Sequence, residues 1–410
     1  MKKTKKTLDL AVSLTFLVFL FGFAAAFWIV PDAERSEEEN RPLTQFPAFS
    51  WASLCDGSFS DGINAYFADQ FPARDSLVGV KGAAETLALK GENNGVLLGK
   101  NGQLAVRKFD MYRSLLERTA DMDYFDPAAV ALSVDGLNAY AEGEVRPLVT
   151  LLPPRTVDVA ASALSYPGEI SDSLHRQLCD SVSEAANWID LLPLLRERYD
   201  AGESVYYRTD HHWTALGAYL AYCEVMKGFG LESEILPRER FTVEEIPGFC
   251  GTSWSKAGCK FVEPDTLELW SLGNDAEFTT SCLSARRIKG EDGKPKTVKE
   301  VYETFPGWLN RDSLAAKDKY AAFLDGTHNE VTVFRNGGEA GERERLLVAK
   351  DSFANAMVPY LAQHFDLVIV NLAGKMTELS EYAAEYGCSR VLIVYNWENL
   401  LTGSNLAGIR

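Results

Sequence analysis

The chain has 410 residues, 46% of them hydrophobic and 24% charged, with a formal net charge of −17. That mix is globular rather than disordered, and the length favours one large domain with extensions. So acidic a chain, with no basic stripe interleaved with aromatics, excludes a nucleic-acid partner, because the phosphate backbone would repel it.

The first six residues include Lys2, Lys3, Lys5 and Lys6, and an uncharged run follows from Leu10 to Val30. At about 1.5 Å per residue this run just crosses a hydrocarbon core of roughly 30 Å. Lysines on its N-terminal side predict a cytoplasmic residue 1–9 segment, an anchor over 10–30, and residues 31–410 outside the cell membrane. Ala24, Ala25 and Ala26 offer a cleavage site, so secretion after signal removal is the alternative.

Residues 31–94 read as an acidic stalk and lead-in helices, with Pro72 separating two helical patterns between 59 and 91. Val96–Leu98 and Leu104–Val106 flank Lys100-Asn101-Gly102, a hairpin signal, and the main domain is placed at 95–410. Short apolar runs at 147–152, 345–349, 367–370 and 391–394 read as buried strands. Their alternation with helical patterns predicts an α/β/α domain with a mostly parallel sheet. The lysine- and arginine-rich stretch 285–300 reads as a surface loop. Seven cysteines without a CxxC suggest neither a zinc ribbon nor a disulfide framework, although Cys250 and Cys259 bracket one loop and could pair.

Two of the five histidines are adjacent, within Thr209-Asp210-His211-His212-Trp213-Thr214. Ser204–Arg208 reads as a strand and Ala215–Lys227 as a helix, so this string lies on the loop between them, where chemistry concentrates. Asp210 is close enough in sequence to orient His212 as a general base. Alternatively, Asp210 only caps the helix, or the Asp-His-His cluster takes a metal, for which no third and fourth ligand is evident. Far downstream, Leu346–Ala349 leads into Lys350-Asp351-Ser352. The four-residue recurrence of Phe353, Met357, Leu361 and Phe365 predicts a helix after Ser352. A serine at such a turn projects its hydroxyl above the sheet edge and sits beside helix-start N–H groups. As an N-cap it would do no chemistry.

At these residues the sequence resembles the DHHW family of bacterial envelope proteins, which is similar to the SGNH hydrolase-like domains of alginate O-acetyltransferases. The resemblance covers most of residues 37–410, including Asn40-Arg41-Pro42-Leu43. It implies Ser352 as nucleophile, His212 as base and Asp210 as its partner, with His211 outside the triad. Lys350 stands where SGNH enzymes usually have glycine. Asn396 is the candidate for their oxyanion asparagine, ahead of Asn355 and Asn371. No cofactor or metal is implied. The implied activity is O-acetyl transfer or hydrolysis on a cell-surface or exopolysaccharide glycan, with a membrane acetyl-donor protein as a further partner. The alternative is a glycan-binding or polysaccharide-assembly protein that keeps the fold without turnover.

Overall fold

The structure is a computed structural model and describes residues 2–36, 41–107, 127–164, 169–289, 295–337, 342–375, 377–403 and 405–409. Asn40 and Lys294 lie outside the described residues. The chain divides into two compact units, one of residues 1–90 with 258–261 and one of 91–257 with 262–410.

In the first unit, Lys2–Ile29 is one helix, and Asp9–Ile29 is long and apolar enough to cross a membrane or to serve as a signal sequence. Its apolar side chains are exposed on all sides, as a membrane span requires and a core helix forbids. At its C-terminal end Phe27 stacks on Phe67 and meets Tyr66 edge-on, while Tyr66 donates to Asp32 at 3.0 Å. Phe67 and Tyr66 belong to the Ser58–Asp69 helix, which Pro72 separates from the Arg74–Leu87 helix.

The second unit holds an eight-stranded sheet. Its strands are β1 (Leu148–Leu151), β2 (Trp188–Ile189), β3 (Phe278–Lys289), β4 (Pro295–Pro306), β5 (Glu330–Arg335), β6 (Arg345–Lys350), β7 (Asp366–Asn371) and β8 (Arg390–Val394). Their spatial order is β4-β3-β5-β7-β6-β8-β1-β2. The pairings from β7 to β2 are parallel, and the three from β4 to β7 are antiparallel. The sheet is thus mixed, parallel only where the site lies. In β1, β6, β7 and β8 nearly every residue is buried, so both faces are covered, which is why these strands read as unbroken apolar runs. One helix group packs 127–143 with 169–181 and 397–402, and another packs 215–228 with 352–357 and 358–361. The α/β architecture with helical layers is therefore as expected.

Three local expectations change. Residues 285–289 and 295–300 are not loop: they belong to β3 and β4, which pair antiparallel on the outer side of the sheet, with Arg286 opposite Val298. Ser204–Arg208 contributes only an isolated bridge, Tyr206 to Trp213, because its backbone pairs back on the loop that follows it: Tyr207 N donates to His212 O at 3.2 Å and Thr214 N to Val205 O at 3.0 Å. The helix after Ser352 opens as a 3₁₀ turn, Ser352–Met357, before one α-turn at Val358–Leu361. Pro359 lacks the N–H that an α-helix would direct at Asn355, so the tighter turn carries the chain up to it.

Candidate functional site

Parallel strands present their carboxyl ends at one edge of the sheet, and ligands in open α/β sheets collect there. At this edge β6 ends in Lys350-Asp351-Ser352, β8 in Tyr395-Asn396, and β1 in Leu152-Pro153-Pro154. Asp351 is the N-cap of the 352–357 turn: its Oδ1 accepts from Phe353 N at 3.0 Å. Its Oδ2 accepts from Asn396 N at 2.7 Å and Asn399 Nδ2 at 2.8 Å. Burial raises the Asp351 carboxyl, against these donors and the Lys350 charge. The Ser352 turn is therefore pinned to the β8 end by a buried carboxylate. Lys350, in the glycine position, turns inward; its ammonium donates to Asn355 Oδ1 at 2.6 Å, and burial pushes its pKa down to about 8. The lysine is buried and leaves the Asp351 cap intact.

The Asp210–Trp213 loop arrives from outside the sheet and is held by its own contacts. Thr209 N and Oγ1 both donate to Asp265 Oδ2, at 2.8 and 2.7 Å, and Trp254 N donates to Thr209 O at 2.9 Å. Thr214 caps the following Ala215–Gly228 helix through Gly217 N. The Trp213 side chain is wholly buried, and its indole N–H donates to Phe353 O at 3.0 Å. That bond ties the loop to the Ser352 turn across 140 residues of sequence.

The result is a continuous chain of hydrogen bonds. Ser352 Oγ lies 2.7 Å from His212 Nε2, and His212 Nδ1 lies 2.5 Å from Asp210 Oδ1. Asp210 Oδ1 also accepts from His212 N at 3.0 Å, and Oδ2 accepts from Thr252 N at 2.7 Å and Thr252 Oγ1 at 3.0 Å. Burial alone would raise the Asp210 carboxyl. The two imidazoles, with donors from His212 and Thr252, outweigh it and hold the carboxyl well below its usual range. Burial and the neighbouring His211 lower the His212 pKa against the pull of Asp210, so the ring rests neutral at neutral pH. Asp210 and His212 are buried, whereas Ser352 is half-exposed, so the open end of the chain is the hydroxyl.

Tyr320 stacks on the His212 ring, 4.0 Å away and 12° from parallel, and its hydroxyl donates to Ser352 O at 3.1 Å. Phe353 tilts against the same ring at 5.0 Å. His211 lies 3.9 Å from the His212 ring, with Nδ1 2.7 Å from Thr252 Oγ1 and its outer side half-exposed. Its backbone carbonyl accepts from Thr156 Oγ1 at 3.2 Å.

Of the residues predicted from sequence, Asp210, His212 and Ser352 are brought together. Asn396 is not aimed at them. Its amide nitrogen donates to Pro153 O at 3.0 Å and its oxygen accepts from Glu398 N at 2.7 Å, so both ends serve the backbone. Asn355 is spent on Lys350 and Gly326 O, and Asn371 caps the turn after β7. Thr252, Tyr320 and Asp265 were missed. They fall singly in the Thr252–Ala257 helix, the Lys319–Ala322 turn and the Asp265–Ser271 strand, so they carry no spacing signal and reach the site only through the tertiary fold. Gly251, just before Thr252, packs so closely on Asp210 that an added Cβ would collide with the carboxylate. Gly251→Ala is therefore expected to displace Asp210 and lower any Ser352-dependent turnover at least tenfold while the chain still folds, as read by esterase kinetics beside circular dichroism.

The family described as DHHW protein matches residues 189–371, which bears out the resemblance seen in Thr209–Thr214 over a shorter span than expected. No curated protein matches the chain. Among solved structures, a DHHW family protein from Eubacterium siraeum is 18% identical, with a TM-score of 0.53, covering 77% of this chain and 95% of that one. Bacillus cereus PatB1 is 19% identical, with a TM-score of 0.55, covering 76% of this chain and 98% of that one. PatB1 with a sulfonyl adduct is likewise 19% identical, at a TM-score of 0.53. At these identities the likeness is one of fold.

Proposed function

We propose that this chain is an extracytoplasmic O-acetyltransferase or acetylesterase acting on a cell-surface or exopolysaccharide glycan, anchored by its N-terminal helix. The observation that carries the reading is the Ser352–His212–Asp210 hydrogen-bond chain, with bonds of 2.7 and 2.5 Å. In this reading Ser352 Oγ attacks an acetyl carbonyl while His212 Nε2 takes its proton. Asp210 holds the Nδ1–H tautomer and stabilises the imidazolium. The tetrahedral intermediate collapses as His212 returns the proton to the departing alcohol, leaving acetyl-Ser352. A sugar hydroxyl or water then attacks while His212 takes its proton, and His212 passes that proton to Ser352 Oγ as the bond from Ser352 to the acetyl group breaks. The first route is transfer, the second hydrolysis. The Ser352 backbone N–H, at the start of its turn, is the donor nearest by chain to the developing oxyanion. A membrane acetyl-donor protein would supply the acyl group in the transfer route.

The commitment of Asn396 to Pro153 and Glu398 favours one other reading, a glycan-binding or assembly protein without turnover. The two part in one experiment. PatB1 is a fold neighbour solved with a sulfonyl adduct. The detergent-solubilised full chain is treated with a sulfonyl fluoride and analysed by peptide mass spectrometry, alongside acetyl-ester turnover. The enzyme reading expects a single adduct on Ser352, absent in His212→Ala. An unmodified Ser352 together with no turnover rules it out in favour of the binding protein.

A further inference from the structure

A second convergence of side chains lies outside the chain of bonds that ends at Ser352. His175 and Cys179 sit four residues apart on the Glu169–Ser181 helix, which places both on one helix face. Asp190 reaches the same point from the connection between β2 and the Leu192–Asp200 helix. Its Oδ1 accepts the Leu192 N–H at 3.1 Å, which holds the carboxylate by one oxygen and leaves Oδ2 free to swing about it. His175 Nε2 lies 2.6 Å from Asp190 Oδ2 and 3.6 Å from Cys179 Sγ. One donor atom from each of the three residues lies within 4.8 Å of the others.

The carboxylate and the sulfur face the same ring nitrogen. A nucleophile relay needs them on opposite nitrogens, as at His212, where Nδ1 meets Asp210 and Nε2 meets Ser352. Nε2 carries at most one proton and cannot serve both partners in that way. Three unlike donors turned to one point instead describe a coordination corner. Bond lengths of about 2.0–2.1 Å to nitrogen or oxygen and 2.3 Å to sulfur give tetrahedral edges of roughly 3.6 Å for N···S and 3.3 Å for N···O. The observed N···S separation already matches. Asp190 Oδ2 needs to withdraw by less than about 1 Å, which its bond to Leu192 through the other oxygen permits.

We propose that His175, Cys179 and Asp190 form a binding site for a zinc-class divalent cation. One imidazole, one thiolate and one carboxylate supply three ligands, and the exposed side at Cys179 admits water as the fourth. Thiolate and imidazole select zinc over magnesium or calcium, which take oxygen. Binding displaces the Cys179 thiol proton and the proton shared by His175 and Asp190. The His175 ring lies over Trp397, 6.1 Å away and 25° from parallel. Trp397 opens the helix that Asn396 caps and from which Asn399 holds Asp351. The cation thus braces the helix beside the Ser352 turn rather than taking part in acyl chemistry.

The full chain in detergent, reduced and stripped with a chelator, is titrated with Co2+ and then Zn2+. A thiolate-to-cobalt charge-transfer absorption that Zn2+ displaces is expected. Cys179→Ser should abolish it, and His175→Ala should weaken cobalt affinity at least tenfold. No such absorption in the wild type, or its persistence in Cys179→Ser, overturns the site. A readout without variants follows alkylation of Cys179 by mass spectrometry. Zn2+ should slow it at least tenfold where Mg2+ does not, and equal rates with and without Zn2+ also overturn the proposal.

Discussion

Ser352→Ala is expected to lower acetyl-ester turnover by a factor on the order of 10⁴–10⁶ with no loss of folded protein. The size follows from the geometry. In the proposed chemistry the hydroxyl oxygen is the attacking atom, and it is half-exposed, so its loss removes the attacking group without opening a buried cavity. Trp213 still holds Phe353 O and Asp351 still caps the turn, so the backbone stays in place. The measurement is steady-state kinetics on a small acetyl ester beside a denaturant melt. A variant as active as the wild type would remove Ser352 from the chemistry altogether.

Asp210→Asn is expected to cost on the order of 10³–10⁴-fold in kcat and to move the pH profile. The sign follows from the groups around His212. The base must be neutral to accept the Ser352 proton, so activity rises with pH through the His212 pKa. Burial and His211 put that pKa below the ordinary histidine value near 6.5, so the wild-type acid limb should fall below about pH 6.5. Asp210 favours the imidazolium, and replacing it with a neutral amide should shift the limb to still lower pH as the plateau drops. His211→Ala should shift it the other way, because it removes a neighbour that disfavours the imidazolium. The kcat/KM–pH profiles of the three proteins separate these effects. Identical limbs in all three would mean that His212 is not the titrating base.

Both expectations rest on residues that were legible before the fold was known, and the reasons differ along the chain. The N-terminal helix is legible because a membrane-length apolar run needs no tertiary partner to be recognised. Strands β1, β6, β7 and β8 are legible because burial on both faces demands apolar residues at every position. Asp210 and His212 are two residues apart, so their pairing is a local fact of one loop. The β3–β4 pair is not legible, because charged strands at a sheet edge have the composition of a solvated loop. The 3₁₀ opening after Ser352 is hidden by an apolar period that also fits an α-helix, until Pro359 is weighed.

By itself, the sequence determined the N-terminal apolar helix, the α/β class, and the Asp210–His212 pair beside a resembled family string. The tertiary structure alone decided the rest. The end of β6 near the sheet centre, tied to the Trp213 indole through Phe353 O, brings Ser352 to His212 over 140 residues. Burial selects Thr252 to satisfy Asp210 and Tyr320 to cover the imidazole, and backbone carbonyls claim the Asn396 amide. It also gathers His175, Cys179 and Asp190 at one point. The physical reason is range. Periodicity and charge act within a few residues, whereas these contacts, His175 with Cys179 on one helix face excepted, are made by groups whose separation along the chain leaves no trace in local pattern.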